Sequence, residues 1–282
     1  MSDSNATTTS TGHELSAGSY LDSHFEAMKP EYEAMIRSVG IQSGWNALDA
    51  GCGSGSFLPL LAELVGSTGH ICAYDLAPEN IEMVEALIEN QQFPCAIETR
   101  VGNLTSLPYD DNHFDVVWCA NITQYLTDDE LGKMLAEFRR VVRPGGLVAV
   151  KEYDLTNSLF APFDPTLFWR LFDAARRHIP PLQGSLRTLQ LPTWFKQAGL
   201  TRVSFQSFVS ERKAPLRPVE QEYAISIMQF LAHAAESVAL SESDRLAWRE
   251  LLNFDSPDHV LQHPDYYSRE GHLVVVGQAP AN

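Results

Sequence analysis

The sequence predicts an α/β fold, a mostly parallel sheet with helices on both faces, and three observations support this prediction. A short apolar strand at residues 46–50 runs into a glycine-rich turn and then into a helical pattern. Strand-like runs go on alternating with amphipathic helical patterns as far as residue 153, which is typical of parallel sheets. Two further helices are predicted within residues 219–254, inserted before the last strand-like run at residues 272–278.

Composition restricts the class of protein. The 282 residues, 44% of them hydrophobic, suffice for a large domain with a sizeable core. The 36 acidic and 20 basic residues give a net charge of -16, which opposes binding to nucleic acids and to anionic membranes. The four cysteines form no CxxC pair, so we expect reduced core thiols and no metal site. Since the sequence has no long apolar run, we expect a cytoplasmic protein.

The turn after the first strand has the pattern Gly51-x-Gly53-x-Gly55. Alternate glycines allow a sharp turn and let a ligand lie against main-chain N–H groups, so we expect a nucleotide-like ligand. The spacing is one residue shorter than the dinucleotide-binding pattern. Asp49 would repel a pyrophosphate but suits the ammonium of an amino-acid-like ligand, directly or through water. These features point to S-adenosylmethionine; a tight strand-to-helix turn without a ligand is the alternative.

A second acidic residue, Asp75, ends the second predicted strand, 20 residues beyond Gly55. An acid at this position of a βαβ unit can accept hydrogen bonds from both ribose hydroxyls of a nucleotide. We therefore expect Asp75 and the adjacent Leu76 to contact the cofactor. An exposed helix cap is the alternative for Asp75.

Polar residues also follow the third and fourth predicted strands. Asn103 is placed to contact the adenine edge and Leu104 its ring, with a simple turn-forming asparagine as the alternative. Asn121, Gln124 and Tyr125 occupy the crevice beyond the fourth strand, where open α/β sheets bind ligands. We expect all five residues to bind the cofactor or face the reaction centre.

A helical lid is predicted over residues 19–40, as two short helices broken at Pro30. Because the segment precedes the glycine turn, it can close over a cofactor, and Tyr20 is its candidate contact. Plain packing of its apolar stripe is the alternative.

Taken in order, these motifs resemble the class I S-adenosylmethionine-dependent methyltransferases, of the small-molecule type. The resemblance covers roughly residues 20–153 and rests on Asp49-x-Gly51-x-Gly53-x-Gly55, Asp75, Gly102-Asn103-Leu104, Leu107-Pro108, Phe114-Asp115 and Arg143-Pro144-Gly145-Gly146. It implies a Rossmann-like, seven-stranded sheet with one antiparallel member among its last two strands. It also implies S-adenosylmethionine as the methyl donor and S-adenosylhomocysteine as the product.

The chain is expected to divide into a disordered N-terminus, residues 1–18, and a single methyltransferase domain, residues 19–282. After the lid, the domain would comprise a cofactor-binding half (41–155) and a half with substrate-side helices and the last strands (156–282). In that second half an aromatic-rich helix is predicted at residues 160–178, and the inserted helices are expected either to cover the substrate or simply to cover the sheet.

Three residues are candidate proton acceptors for the methyl acceptor, namely Glu152, Tyr153 and His178. The first two stand at the end of the fifth predicted strand. His178 lies at a predicted helix end, where helix capping is the alternative to catalysis. Methyl transfer itself depends mainly on placing the nucleophile behind the methyl carbon and excluding water.

Aromatic residues suggest the acceptor class. A pocket over the methyl-donor site is predicted from the aromatics of residues 160–172 together with Phe230, Tyr266 and Tyr267. It suits a small, apolar or aromatic biosynthetic metabolite, with O-methylation favoured over N- or C-methylation. The alternatives are an NAD-dependent oxidoreductase, disfavoured by Asp49 and the glycine spacing, and a non-catalytic S-adenosylmethionine-binding protein.

Overall fold

The computed structural model describes residues 18–176, 178–179, 184–253, 255–256 and 259–281, with side chains from residue 24 onward. The segment expected to be disordered, residues 1–18, lies outside this range except for Gly18, the first residue of the first helix. Within the range, no helix combines the length and the apolar character needed to cross a membrane.

The described residues contain a seven-stranded sheet. Its strands are β1 (Asn46–Ala50), β2 (His70–Asp75), β3 (Ala96–Val101), β4 (Phe114–Ala120), β5 (Val142–Ala161), β6 (Thr201–Lys213) and β7 (Tyr267–Gln278). The order across the sheet is β3-β2-β1-β4-β5-β7-β6. Strands β1 to β5 pair in parallel, and β7 is antiparallel to both β5 and β6. The predicted mostly parallel sheet with one antiparallel strand is confirmed.

Helices cover both faces of this sheet. They are α1 (Gly18–Arg37), α2 (Leu58–Val65), α3 (Pro78–Asn90), α4 (Asp128–Val141), α5 (Pro165–Ala175), α6 (Leu191–Gln197), α7 (Pro218–Ser237) and α8 (Glu242–Leu251). One hydrophobic core joins α1, α2 and α3 to one face, and a second joins α4 and α6 to the other. A third core lies among α5, α7, α8 and the end of β5. Because both faces are covered, the central strands β1 and β4 are almost wholly buried, whereas the edge strands β3 and β6 are mostly exposed.

Helix α1 continues through Pro30, where the sequence predicts a break. Proline removes one backbone hydrogen bond, but Pro30 is exposed, while Met28, Tyr32 and Met35 are each at most 1% exposed against the core. Burial of this apolar face stabilises both halves as one helix. The predicted lid is therefore a single helix of 20 residues.

The segment predicted as one aromatic helix from residue 160 begins instead as strand. Strand β5 extends to Ala161, because β7 is long enough to pair with it up to that residue. Helix α5 starts only at Pro165, with the Asp164 carboxylate accepting a hydrogen bond of 2.9 Å from the Thr166 amide. Phe160 is consequently a strand residue.

Arg212 on β6 connects α1 to the rest of the domain. Its guanidinium lies 2.6 Å from Oε1 of Glu31 on α1 and 3.0 Å from Oε1 of Glu220 on α7. It also donates a hydrogen bond to the carbonyl of Ala27. The Arg212 side chain is 12% exposed, so these charges are weakly screened by solvent. Arg212 thus holds α1 and α7 in a fixed relation over the sheet.

We expect Arg212→Met to lower the free energy of unfolding by about 1 to 3 kcal/mol, because it removes the cation from between two partly buried carboxylates. The matched control is Arg249→Met. Arg249 pairs with Glu236, and both side chains are about half exposed, at 55% and 48%. This control should cost less than about 0.5 kcal/mol. Chemical denaturation measures both, and equal effects would contradict the role given to Arg212.

Candidate active site

A cavity of about 410 Å³ lies at the carboxyl ends of the parallel strands. Residues that follow β1, β2, β3 and β4 form one part of its wall, and α1, α5, α7, β5 and β7 contribute most of the rest. The edge where parallel strands end is where open α/β sheets bind ligands, and the volume is that of a small-molecule site. The cavity is therefore the candidate active site.

The glycine turn forms part of the cavity wall. Gly51 and Gly53 line the cavity with left-handed φ angles of +79° and +54°. At Gly51 a Cβ would stand 2.5 Å from the side chain of Ile122, so both backbone and space require glycine. The amides of Gly51 and Cys52 donate to the carbonyl of Tyr74, at 2.7 and 3.1 Å, which fixes the turn to β2.

Gly55, also predicted at the cofactor, does not line this cavity, so its contact with the cofactor stays a prediction. Its Cβ would stand 3.0 to 3.2 Å from the side chains of Leu58, Val84 and Leu87. The missing side chain therefore lets α2 and α3 pack closely. Gly55 borders a separate surface depression instead.

Asp75 lines the cavity and is 7% exposed. Its Oδ2 accepts a hydrogen bond of 2.9 Å from the Gly53 amide. Its Oδ1 accepts from the Ala77 amide at 2.9 Å and from Nδ2 of Asn80 at 3.0 Å, so Asp75 also organises the start of α3. Since each carboxylate oxygen has two lone pairs, Oδ2 retains capacity for a ligand hydroxyl. Leu76, 53% exposed, lines the cavity beside it.

Asp49 is 2% exposed and is not among the residues that line the cavity. Within the described residues its Oδ2 has no hydrogen-bond partner. Burial is the main cause that raises the pKa of Asp49 to about 8, and the nearby Asp75 carboxylate adds to the effect. Asp49 is thus mostly protonated in the free protein at neutral pH, and a ligand ammonium group near its unpartnered oxygen would favour the ionised form.

The other candidates for cofactor binding are placed as follows. Five of them line the cavity: Asn103, Leu104, Asn121, Gln124 and Tyr125. Oδ1 of Asn103 accepts hydrogen bonds from the amide and hydroxyl of Thr105, at 2.9 Å each, so its side chain also forms the alternative turn. The side chain of Tyr20 lies outside the described residues.

The three candidate proton acceptors have different surroundings. Tyr153 lines the cavity. Glu152 is fully buried outside the lining, accepts a hydrogen bond from the Thr123 amide, and has its pKa raised by burial. His178 is exposed and also outside the lining, which corrects its prediction as a catalytic residue. Helix α5 ends at Ala175, so His178 falls in the turn that leaves the helix at the surface.

A polar cluster on the cavity wall joins the predicted Asn121 to three residues that were not predicted, namely His24, Tyr32 and Lys151, and we call it the Lys151 cluster. Tyr32 and Lys151 are buried, and His24 and Asn121 are partly buried. The Lys151 Nζ atom lies 2.6 Å from Oδ1 of Asn121 and 3.2 Å from the Tyr32 hydroxyl. The same hydroxyl lies 2.6 Å from Nε2 of His24. The available sequence signal was a lysine inside the apolar run of a central strand, residues 147–151.

Burial shifts the pKa values around this cluster. It lowers the pKa of Lys151 to about 7, partly offset by the carboxyl groups of Glu152 and Glu270. Burial and the nearby Lys151 lower the pKa of His24 to about 3, so this imidazole is neutral. Burial also raises the pKa of Glu270 to about 7, although its Oε2 accepts a hydrogen bond of 2.7 Å from the Tyr223 hydroxyl.

Apolar side chains form the far part of the cavity wall. They include Leu155, Phe160, Phe168, Phe172, Ile227, Phe230 and Leu231. Tyr266 and Tyr267 do not line the cavity, which corrects their prediction. Tyr266 is buried in the third core, and Tyr267 pairs with the edge strand, where its hydroxyl donates to Glu211 at 2.6 Å.

Comparison with known proteins identifies relatives of the chain. Residues 48–150 match a family model described as a methyltransferase domain. The chain is 30% identical over 200 residues to the demethylmenaquinone methyltransferase of Bacillus subtilis, a match that covers 65% of this chain and 83% of the relative.

Solved structures share the fold. Phosphoethanolamine N-methyltransferase 2 of Haemonchus contortus, solved with phosphomonomethylethanolamine and S-adenosylhomocysteine, has a TM-score of 0.55 at 14% identity, covering 94% of this chain and 58% of that one. The YcgJ protein of Bacillus subtilis has a TM-score of 0.52 at 16% identity, covering 88% of this chain and 98% of that one.

The chain belongs to the class I S-adenosylmethionine-dependent methyltransferases. It is an enzyme of that family, and S-adenosylmethionine is its cofactor. The glycine turn, the unpartnered Asp49 oxygen and the position of the cavity all fit this cofactor. Among the described residues, no group of histidine, cysteine and acidic side chains is arranged to hold a metal ion.

We expect Gly51→Ala to destabilise the protein by about 1 to 3 kcal/mol, because it combines a left-handed φ with a collision against Ile122. Gly132→Ala is the matched control. Gly132 lies in α4, where the nearest atom to a new Cβ is in Trp194 at 3.8 Å, so alanine should stabilise by about 0.5 to 1 kcal/mol. Thermal unfolding compares the two. Equal stability of the Gly51 variant and the wild type would show that the turn tolerates a side chain.

Proposed function

We propose that the enzyme methylates a small, apolar or aromatic metabolite that binds in the far part of the cavity. The main support for this proposal is that one continuous cavity joins the glycine turn to the phenylalanines of α5 and α7. Aromatic side chains contribute large contact area to an apolar ring. When bound, S-adenosylmethionine supplies an electrophilic methyl group on its sulfur.

Residues of the glycine turn and of the strand ends would bind the cofactor. Gly51 and Gly53 allow the ligand to approach the main chain, and Asp75 accepts from the ribose hydroxyls. Asp49 would hold the ammonium group through water, since its oxygen is buried outside the lining. Asn121 and Gln124 then lie between the cofactor and the acceptor.

Two further observations support a small-molecule acceptor. The named relative acts on demethylmenaquinone, a small molecule. The net charge of -16 opposes a nucleic-acid substrate. We favour an oxygen atom as the methyl acceptor, because a hydroxyl adjoining the Lys151 cluster would find polar partners. Nitrogen and ring carbon are the alternatives.

Asp75→Ala should weaken binding of S-adenosylhomocysteine by about 1.5 to 3 kcal/mol, because charge-assisted hydrogen bonds to the ribose are lost and the Gly53 amide loses its acceptor. Calorimetric titration measures the affinity. Asp110→Ala, a change at an exposed acid in the loop after β3, is the control and should bind normally. Unchanged affinity in the Asp75 variant would remove its role in binding.

Methyl transfer from labelled cofactor should occur to phenols or carboxylic acids in a panel that also contains amines, RNA and protein. Phe168→Ala should reduce transfer at least tenfold through lost acceptor contacts, while S-adenosylhomocysteine still binds. Tyr267→Ala, which changes an aromatic outside the cavity, should leave transfer unchanged. Transfer confined to RNA or protein would overturn the proposed function.

A further inference from the structure

The Lys151 side chain is in an unusual position for a lysine. It is 0% exposed, and within the described residues no carboxylate oxygen lies within 4.0 Å of its nitrogen. Its two hydrogen-bond partners, Asn121 and Tyr32, are neutral groups. A buried ammonium without a contacting anion is costly, and the neutral amine avoids this cost. The amine is therefore ready to accept a proton.

The hydrogen bonds around Lys151 can run in a consistent direction with the neutral amine. An ammonium at Lys151 donates to the Tyr32 oxygen, but with a neutral amine the Tyr32 hydroxyl can donate to the nitrogen, and Nε2–H of His24 can donate to the Tyr32 oxygen. One N–H of the amine then donates to Oδ1 of Asn121. Every group in this arrangement uses a donor or acceptor that it possesses. Tyr32 and Lys151 both line the cavity, and the Tyr32 hydroxyl offers a route for a proton from a bound acceptor to the amine.

We propose that Lys151, acting through Tyr32, accepts the hydroxyl proton of the methyl acceptor, and that this acceptor is a hydroxyaromatic compound that reacts as its oxyanion. The inference rests on the proposed function, because it requires a small aromatic acceptor in the same cavity. It adds two details to the proposed function: the ionisable group of the acceptor and the residue that receives the proton of that group. Lys151 acts through Tyr32 and is a positioning residue in this scheme.

The reaction balances with groups already present. The acceptor O–H bond breaks and its proton passes to the Tyr32 oxygen, while the proton of Tyr32 passes to the Lys151 amine, which becomes an ammonium. The acceptor oxygen then forms a bond to the methyl carbon as the bond from that carbon to sulfur breaks, giving the methyl ether and S-adenosylhomocysteine. The ammonium returns its proton to solvent as the products leave. The acceptor oxyanion then serves as a counterion for the buried Lys151 ammonium, which otherwise has none in contact.

Charged and titratable groups face Lys151 from several elements. Glu152 on β5, Glu270 and His272 on β7 and His24 on α1 interact with it electrostatically, and Tyr32 on α1 is hydrogen-bonded to it. Tyr223 on α7 and Arg212 on β6 interact with Glu270. Asn121, which follows β4, is neutral. Burial lowers the pKa of Lys151 to about 7 and the two glutamates raise it only in part. The proton-accepting amine is thus the form present above about pH 7, so the rate should rise with pH to that value and then level off.

The first test compares the pH profiles of methyl transfer to 4-methoxyphenol, a weak acid, in the wild type and in two variants. Lys151→Met keeps the shape and removes the amine, and Tyr32→Phe removes only the connecting hydroxyl. Each should lower the rate by about 100-fold or more and abolish the rise toward pH 7. Lys196→Met, at an exposed lysine on α6, is the control and should keep the wild-type profile.

The second test uses 4-nitrophenol, which ionises near neutrality and needs less help from a base. Its methylation should fall much less in the variants than that of 4-methoxyphenol. When bound to the wild-type enzyme with S-adenosylhomocysteine, it should show phenolate absorbance at a pH where free 4-nitrophenol is mostly protonated. In Lys151→Met this absorbance should be lost, while thermal stability and S-adenosylhomocysteine affinity remain as in the wild type.

Results other than those expected would contradict the inference. Failure of the wild type to bind or methylate either phenol would overturn this inference, whereas transfer to a carboxylic acid or an amine in the earlier panel would leave the proposed function standing. Binding with the same absorbance in wild type and Lys151→Met, equal losses for both phenols, or unaltered pH profiles would overturn the inference alone. Loss of S-adenosylhomocysteine binding in both variants would show a structural role for the Lys151 cluster and would also overturn the inference.

Discussion

The hydrogen bond from the Gly53 amide to the Asp75 carboxylate is the contact on which the site depends. It joins the turn after β1 to the end of β2, and it is possible because parallel neighbouring strands end at the same edge of the sheet. The other oxygen of Asp75 accepts hydrogen bonds from the Ala77 amide, just before α3, and from the Asn80 side chain, so the same carboxylate fixes the start of that helix. A turn fixed in this way loses little conformational freedom when a ligand binds, which favours affinity.

The helical cover gives the cavity two chemically different parts. Helices α5 and α7 contribute phenylalanines packed on the third core, whereas α1 contributes His24 and Tyr32 to the Lys151 cluster. Arg212 fixes α1 to α7, so the polar and aromatic parts keep their relative positions. An acceptor with an aromatic ring and one ionisable group would match both parts at once.

At several buried positions in and around the cavity, apolar residues would make the protein more stable. Lys151, Glu152, Glu270 and Asp49 are each at most 5% exposed, and burial disfavours the charged form of all four. Shifted pKa values of this kind concentrate at functional sites, although structural networks also produce them. Here the four groups lie in or close to one cavity at the strand ends. Their cost in stability is therefore explained by a role in function.

The sequence alone was enough to predict the sheet, the glycine turn and the places of Asp75 and Asn121 at strand ends, because strand periodicity and turn chemistry are properties of short stretches of chain. It did not determine what Gly55 contacts, that His178 is exposed or that α1 passes through Pro30, since these depend on packing against distant elements. The Lys151 cluster depends most on tertiary structure. Tyr32 and Lys151 are 119 residues apart, and only the packing of α1 against β5 brings a hydroxyl and an amine within 3.2 Å.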